Sequence, residues 1–584
     1  MDVGTVVLER APVRGNRGRR LIFRRPVRVI EAWQPDEVHA ALAAIDTALN
    51  EGLHVAGFLG YEAGLALEPK LRDLPMMPPA GEPLLWLGCY AGVEQDTVEC
   101  AAPMSQVRDM GHPLLSLEEA EYARRVDAVQ ALIAAGETYQ ANLTLDARWR
   151  SEESAAAMYA RLLQAQPVAY AAMLRPREDW HVLSFSPELF FRREGGRMVT
   201  KPMKGTADPG FDMAEARAQA AWLVADEKNR AENVMIVDLL RNDLGRVCRM
   251  GSVQVTELFA VERYPTVLQM TSTIEGQLRE GVGYAEIFAA LFPSGSIVGA
   301  PKVQTMRRLS EIEGRPRGVY TGAIGYIAPH GEAEFNVAIR TLSLHNREAR
   351  MGVGSGIVTD SVANLEYAEC RTKLAFLTRD AETDFSLIET LLLEDGTYTL
   401  LAEHLERMAE SAEYFFLRFD ESHVKAVLEE ARRDAGGKRM RVRLLLDREG
   451  HATWSSSVMP VGDAGPVSVL FWPETTDSQD RFLRHKTTRR ALYDKALQAA
   501  LAAGCADAIF TNERGEITEG AIHNVIAVID GQWITPPLAC GLLPGVYRRK
   551  LLAEGRIKEG VLRREDLERA EAIYLCNSVR GLRD

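Results

Sequence analysis

The strongest candidate for covalent chemistry in this 584-residue sequence is Lys204, in the run Pro202-Met203-Lys204-Gly205-Thr206. A lysine amine is a weak nucleophile until desolvation or nearby cations lower its pKa. The run reads as a turn with no neighbouring acid to neutralise the lysine. Gly205 lets backbone approach a ligand closely, and Thr206 supplies a hydroxyl. Taken singly, such a lysine is a solvated loop residue; its surroundings argue otherwise. Ser184-Phe185-Ser186-Pro187-Glu188 lies just upstream, and residues 226–245 carry the clearest helical period downstream. Val234, Ile236, Val237, Leu239 and Leu240 make that helix's apolar face, with Glu232 one turn after Lys228. Further on, Glu366 and Glu369 share one helix face, with Lys373 one turn beyond. Magnesium takes only one or two carboxylates from rigid elements and keeps several waters.

Four segments follow, at 292–302, 317–326, 336–342 and 352–361, all but the third containing glycine. The last is not G-x-G-x-x-G, so a dinucleotide reading fails. Glycines let backbone N–H groups approach carboxylates, while Lys302, Tyr320 and Arg340 add donors or charge; a bidentate arginine is a natural carboxylate partner. In this order, from GFLGYEAG (57–64) to EYAECRTKLAFL (366–377), the segments resemble the chorismate-utilising enzymes. The lysine of P-x-K-G-T resembles their aminodeoxychorismate synthase branch, whereas anthranilate synthases usually carry alanine there. The resemblance implies an α/β (α+β) fold with two stacked β-sheets flanked by helices. It implies magnesium held by Glu232 and Glu369 with Glu366 close by, and chorismate contacts from Thr206, Lys302, Tyr320, Arg340, Gly354, Gly356 and Lys373. It also implies a reaction: Glu188 protonates the departing C4 hydroxyl, Lys204 adds at C2, and ammonia attacks C4 and expels the lysine. Three positions depart from the family pattern. Gln269 stands where many relatives have a histidine tied to pyruvate loss. Gln140 or Ala141 stands where isochorismate and salicylate synthases have a water-activating lysine. Asn229 replaces a further glutamate. No G-x-C-x-G elbow occurs, so ammonia is expected from a separate glutamine amidotransferase.

A second set of residues lies beyond the polar stretch 378–384. Lys486 precedes a helix, Glu519 and Asn524 flank a strand-like run, and Pro544-Gly545 opens a helix at Val546 and Tyr547. Asp395-Gly396 and Arg514-Gly515 read as hairpin turns. These features resemble the fold-type IV pyridoxal-phosphate enzymes, which include class IV aminotransferases and aminodeoxychorismate lyase. The resemblance implies that Lys486 carries pyridoxal 5′-phosphate and Glu519 pairs with its pyridine nitrogen. Arg407 and the N–H groups of Val546 and Tyr547 would hold the phosphate, Asn524 would shape the site, and Arg580 would bind a substrate carboxylate. Tyr493 could approach the cofactor. Such enzymes are commonly dimers, so a homodimer through this part is expected.

The elements that must position these residues divide the chain into 1–377, a linker at 378–384, and 385–584. DEVHAALAAIDTALNEG (36–52) is a helix, TYQANLTLDARW (138–149) a strand, and the arginine-rich RRLIFRRPVRVIEAW a strand with basic flanks. The net charge of −13 argues against a general nucleic-acid binder. Seven scattered cysteines without C-x-x-C suit reduced thiols in the cytoplasm, and no apolar run approaches a membrane span. The expected function is two-step 4-aminobenzoate synthesis for folate. The competing readings are an anthranilate-type synthase fused to an aminotransferase and a non-catalytic chorismate-binding regulator.

Overall fold

The computed structural model describes residues 1–10, 18–74, 77–98, 112–378, 385–459 and 465–583. It forms two compact units, Met1–Ala207 with Ala220–Thr383, and Asp208–Gln219 with Asp384–Asp584. The linker expected at 378–384 lies, apart from Thr378, outside the described residues.

The first unit is built on two ten-stranded antiparallel sheets. The strand His54–Leu59 shows why they stack. Its Ala56 and Phe58 point into an apolar layer shared with Trp180 and Leu174 of the other sheet, while Val55 and Leu59 face the helices outside. Both faces are therefore buried, which explains a continuous apolar run rather than an alternating one. Phe58 meets Trp180 edge-on at 5.6 Å between the sheets. The helices Val38–Asn50 and Glu227–Gly245 cover one sheet, and Glu119–Ala134 and Ala155–Ala165 cover the other. The expected N-terminal strand is two strands, Gly18–Phe23 and Arg28–Ala32, and they lie in different sheets. Val234 is exposed, so it does not belong to the apolar face of its helix.

The second unit contains sheets of four, three and five strands. Helices Leu401–Phe415 and Glu421–Ala435 bury one face of the four-stranded sheet, and Met213 of the segment 208–219 joins that core. Asp395 and Gly396 both take positive φ, +50° and +70°, as a two-residue hairpin turn requires. Gly515, at φ +72°, turns the hairpin between Asp507–Thr511 and Ile517–Gly520. The described residues contain no helix long and apolar enough to cross a membrane.

One buried ion pair ties the first unit's framework to its site. Arg317 donates to both carboxylate oxygens of Glu313, at 2.9 and 2.8 Å, and lies over the Tyr61 ring. It also reaches the carbonyl of Asn142, while Glu313 accepts from the amide and hydroxyl of Thr144. The pair thus fixes strand Gln140–Arg150 against helix Lys302–Glu313. Leaving one charge alone in such a place costs about 3–5 kcal/mol. Glu313→Ala should lower the urea midpoint of the first unit accordingly, and Glu313→Leu combined with Arg317→Met should recover most of the loss. Equal midpoints for wild type and Glu313→Ala would contradict this account.

Candidate active sites

In the first unit, Glu188 and Arg340 stand where the chain passes from one sheet to the other. Trp180–Ser186 and Thr341–His345 pair in one sheet, while Leu189–Glu194 and Ala333–Val337 pair in the other. The two passages are laced together by the Val337 N–H to the Glu188 carbonyl at 3.1 Å and the Phe185 N–H to the Arg340 carbonyl at 3.0 Å. Arg340 has φ +50°, a conformation that persists only where surrounding structure imposes it. Its Nη1 is buried without a partner, and burial lowers the guanidinium to about 10. A desolvated guanidinium with a free donor is a receptor for a carboxylate. The Glu188 carboxyl is buried and accepts from Ser296 Oγ at 2.6 Å. Burial pushes it up to about 7, against the opposing pull of Ser296 and Lys204.

Lys204 is not in a turn. It lies on an edge strand, Met203–Ala207, paired with Val267–Gln277. The register slips between Met203 and Thr206, and Gly205 takes φ +96° in that irregularity, which re-aims the lysine. Asn233 Nδ2 donates to the Lys204 carbonyl at 3.4 Å, and Ser272 donates to Asn233 at 2.6 Å. The expectation of no neighbouring acid fails in three dimensions. Burial lowers the Lys204 amine, while Glu232, Glu188 and Glu369 pull the other way and Lys373 repels it. Gly356 makes room for this group: a Cβ there would lie 3.4 Å from Lys204 Nζ and 2.7 Å from Gln140 Nε2. The uncharged residue beside Lys204 is therefore Gln140; Ala141 is buried in the apolar core.

Glu232 stands on Glu227–Gly245, and Glu366 and Glu369 on Ala363–Leu374. Burial raises the Glu232 carboxyl, and Glu366 and Glu369 push it the same way. Glu366 accepts from Ser361 at 2.7 Å, and Glu369 pairs with Lys373 at 2.5 Å. Among the described residues no three ligating side chains are close enough to hold an ion by themselves. Mutually repelling oxygen donors still fit a hard divalent cation that keeps its waters. Asn229 turns to the helix cap, donating to Asp226 at 2.8 Å through both its backbone and its side chain.

Other expected contacts divide. Tyr320 packs against Gly352, and Lys373 donates to the Gly354 carbonyl at 2.9 Å. Thr206 is exposed and accepts from Gln269 at 2.9 Å. Lys302 does not belong to the site. Its ammonium is fully used by Asp243 at 2.8 Å and by the carbonyls of Leu291 and Pro293 at 3.1 and 3.2 Å. A lysine has three donors, and none remains for a substrate.

In the second unit a cavity of about 550 Å³ is lined by Lys486, Glu519, Asn524, Arg407, Val546 and Arg580. The Lys486 carbonyl accepts from the Ile388 N–H at 2.8 Å, which ties its backbone to strand Leu387–Glu394. Burial, with Arg490 and Arg407 nearby, lowers its amine to about 7. Burial pushes the Glu519 carboxyl up to about 8, although it accepts from Tyr493 at 3.2 Å and Asn524 at 3.3 Å. A buried carboxyl held at that value fits a pyridine nitrogen with which it shares a proton. Tyr493, expected near the cofactor, donates to Glu519. Arg407 is bidentate to Glu389 at 2.9 and 2.6 Å, and Glu389 also binds His404. Burial opposes ionisation of Glu389, but Arg407 and His404 outweigh it and hold the carboxyl down to about 2. Helix Val546–Ala553 begins without a side-chain cap, which leaves its first amides for an anion. The Tyr547 side chain packs with Ile526 and Leu551, outside the cavity lining, so only its amide could contribute. The residues present thus fit pyridoxal 5′-phosphate.

Residues 8–379 match the family of chorismate binding enzymes, and residues 386–584 match amino-transferase class IV. The chain is 38% identical over 261 residues to aminodeoxychorismate synthase component 1 of Bacillus subtilis, covering 45% of this chain and 55% of that protein. It is also 38% identical over 286 residues to anthranilate synthase component 1 3 of Haloarcula marismortui, covering 49% of this chain and 55% of that protein. The chain thus spans about half the length of these curated relatives. Among solved structures it resembles anthranilate synthase component I from Streptococcus pneumoniae, with TM-score 0.54 and 25% identity, covering 63% of this chain and 93% of that one.

The Lys486 value gives a test of the second site. An amine, not an ammonium, adds to an aldehyde. Reaction of the apoprotein with pyridoxal 5′-phosphate, followed by its yellow chromophore, should therefore rise with pH through about 7 rather than near the ordinary 10.5. Lys486→Arg should give no chromophore. A rise delayed to the ordinary lysine range would show that the site does not desolvate this amine.

Proposed function

Because the chain belongs to the chorismate binding enzymes and carries a class IV aminotransferase domain, we propose that it converts chorismate to 4-aminobenzoate in two steps. The observation that carries this reading is Lys204, a buried amine within electrostatic reach of Glu232 and Glu188, with the uncharged Gln140 flanking the same Gly356. In the first step Arg340 takes one chorismate carboxylate. Glu188, protonated up to about pH 7, gives its proton to the C4 hydroxyl, which leaves as water. The Lys204 amine bonds to C2 as that C–O bond breaks. Ammonia then bonds to C4, the C2–N bond breaks, and the lysine is regenerated. Glu232 and Glu369, with Glu366, would hold magnesium, whose charge would neutralise a substrate carboxylate. Ammonia would come from a separate glutamine amidotransferase.

The second step consumes the product, 4-amino-4-deoxychorismate. Pyridoxal 5′-phosphate, when bound, supplies an electron sink for the carbon bearing the amine. Lys486 would hold the cofactor and take the proton from that carbon. Glu519 would keep a proton opposite the ring nitrogen, oriented by Tyr493 and Asn524. Arg407 and the amides opening Val546–Ala553 would hold the phosphate. Pyruvate leaves and the carbocycle becomes aromatic, which drives the step.

Three outcomes test this reading. Lys486→Ala should accumulate 4-amino-4-deoxychorismate without pyruvate, while Lys204→Ala should make 4-aminobenzoate only from the supplied intermediate. Chromatography showing anthranilate or 4-aminobenzoate at wild-type rates from Lys486→Ala would assign pyruvate loss to the first unit instead. Glu369→Gln should lose magnesium-dependent turnover, and full wild-type activity in excess chelator would refute the metal. The pure chain should use ammonium salts but not glutamine; glutamine-dependent turnover would remove the need for a partner.

A further inference from the structure

The cavity of the second unit holds more positive charge than one phosphate needs. Arg407, Arg441, Arg443, Arg489, Arg490 and Arg580 all line it. Three of these are engaged. Arg407 is bound to Glu389. Arg490 donates to Asp494 at 2.7 Å and to the Ala521 carbonyl at 2.8 Å. Arg489 lies 4.5 Å from the Phe482 ring centroid. The guanidinium groups of Arg441, Arg443 and Arg580 have no hydrogen-bond or ion-pair partner among the described residues.

Their convergence follows from the backbone. Strand Met440–Leu446 alternates, with Val442 and Leu444 buried in the core and Arg441 and Arg443 exposed on the other face. Arg443 pairs across the ladder with Thr390, which lines the same cavity. Arg580 comes from the turn after Ala572–Asn577, and Ser578 in that turn donates to the Thr390 carbonyl at 3.4 Å. Burial lowers the Arg443 guanidinium, and Arg490 and Arg441 push it further down, with Asp494 opposing. Burial likewise lowers Arg580, helped by Arg583 and Arg441 and opposed by Asp507. The six arginines and Lys486 outnumber the four carboxylates of the lining, Asp477, Asp480, Asp494 and Glu519, and such an excess of like charge raises the free energy of the empty site and lowers that of a site holding an anion.

An ordinary α-amino acid carries one carboxylate on the carbon that bears its amine. The amine proposed above carries two, and neither is on that carbon, so its recognition needs cations displaced from Lys486. Resting on the two-step reading, we propose that Arg441, Arg443 and Arg580 form a receptor for a remote carboxylate of the amine substrate, which makes the second site selective for dianionic amines over monocarboxylate amino acids.

The test uses the full-length protein loaded with pyridoxal 5′-phosphate and supplied with 4-amino-4-deoxychorismate. In Arg443→Gln, and in Arg441→Gln and Arg580→Gln, KM for pyruvate release should rise about ten- to hundredfold, the loss of one charge-assisted contact, with kcat changed far less. Arg443→Lys should recover part of the affinity. Isophthalate should inhibit wild type better than benzoate, and Arg443→Gln should erase that difference. Bound cofactor, read from its absorbance, should stay at the wild-type level. Unchanged KM in all three glutamine variants, with wild type active, overturns the receptor. Loss of cofactor rather than of substrate affinity also overturns it, since the arginines would then serve the phosphate. A wild type that releases no pyruvate at all defeats the two-step reading itself, and the receptor with it.

Discussion

Taking an ionisable group out of water is the constraint on which both sites depend. A buried charge is tolerated only when partners replace its hydration; otherwise the group shifts its pKa and tends to neutrality. This protein uses both outcomes. Glu313 with Arg317, and Glu389 with Arg407, are buried carboxylates met by bidentate guanidinium groups. Glu188, Glu519 and Lys486 are buried with weaker compensation, and their values converge on about 7, 8 and 7. The first class holds backbone in place. The second is poised near neutrality, where a proton can be given or taken at little cost. Perturbed values also arise in purely structural networks, and what separates the classes here is pairing: each carboxylate of the first class meets a bidentate guanidinium, and Glu188 and Glu519 do not.

The placement of the first site follows from where a β-sandwich must break its own ladders. Within a sheet every backbone group is paired and side chains alternate between two apolar layers. At the passages between sheets neither rule holds, and these passages carry Glu188 and Arg340. The register slip at Gly205 adds a third irregular point, on the strand that carries Lys204, whose amine feels Glu188. The candidate site thus sits where regular structure ends, beside strands such as Trp180–Ser186 that are buried along most of their length.

Local signals were legible in the sequence. The Asp395-Gly396 turn, the helix opening after Pro544-Gly545, and the helices bearing Glu232 and Glu369 each depend on a few adjacent residues. What escaped was set by distant partners. Lys204 looked free of acids because none of Glu188, Glu232 and Glu369 is adjacent to it in the chain, and the fold brings them near. Lys302 looked available because nothing local announces Asp243 and two carbonyls. The choice between Gln140 and Ala141 depended on strand register, which spacing alone does not fix when both neighbours are buried. Segment 208–219, read with the first half, packs into the second unit through Met213, and its polar flanks gave no sign of that. Arg441 and Arg443 were hidden in an alternation that any half-exposed strand would show.

Gln140 bears on which nucleophile the proposed first step can use. Its amide lies beside Lys204, and its Oε1 is buried without a partner. An amide neither carries charge nor removes a proton at neutral pH, so it does not generate hydroxide from water. A lysine in its place would set two ammonium groups side by side, and their repulsion would favour a neutral amine able to act as a base. With glutamine there, Lys204 stands beside acids rather than beside another base, and the remaining task is to bond to carbon rather than to activate water. Ammonia needs no such activation, since it arrives as a nucleophile already. The buried amide oxygen has no hydrogen-bond partner among the described residues. In this reading a single uncharged side chain selects amination over hydration without contributing a proton to either.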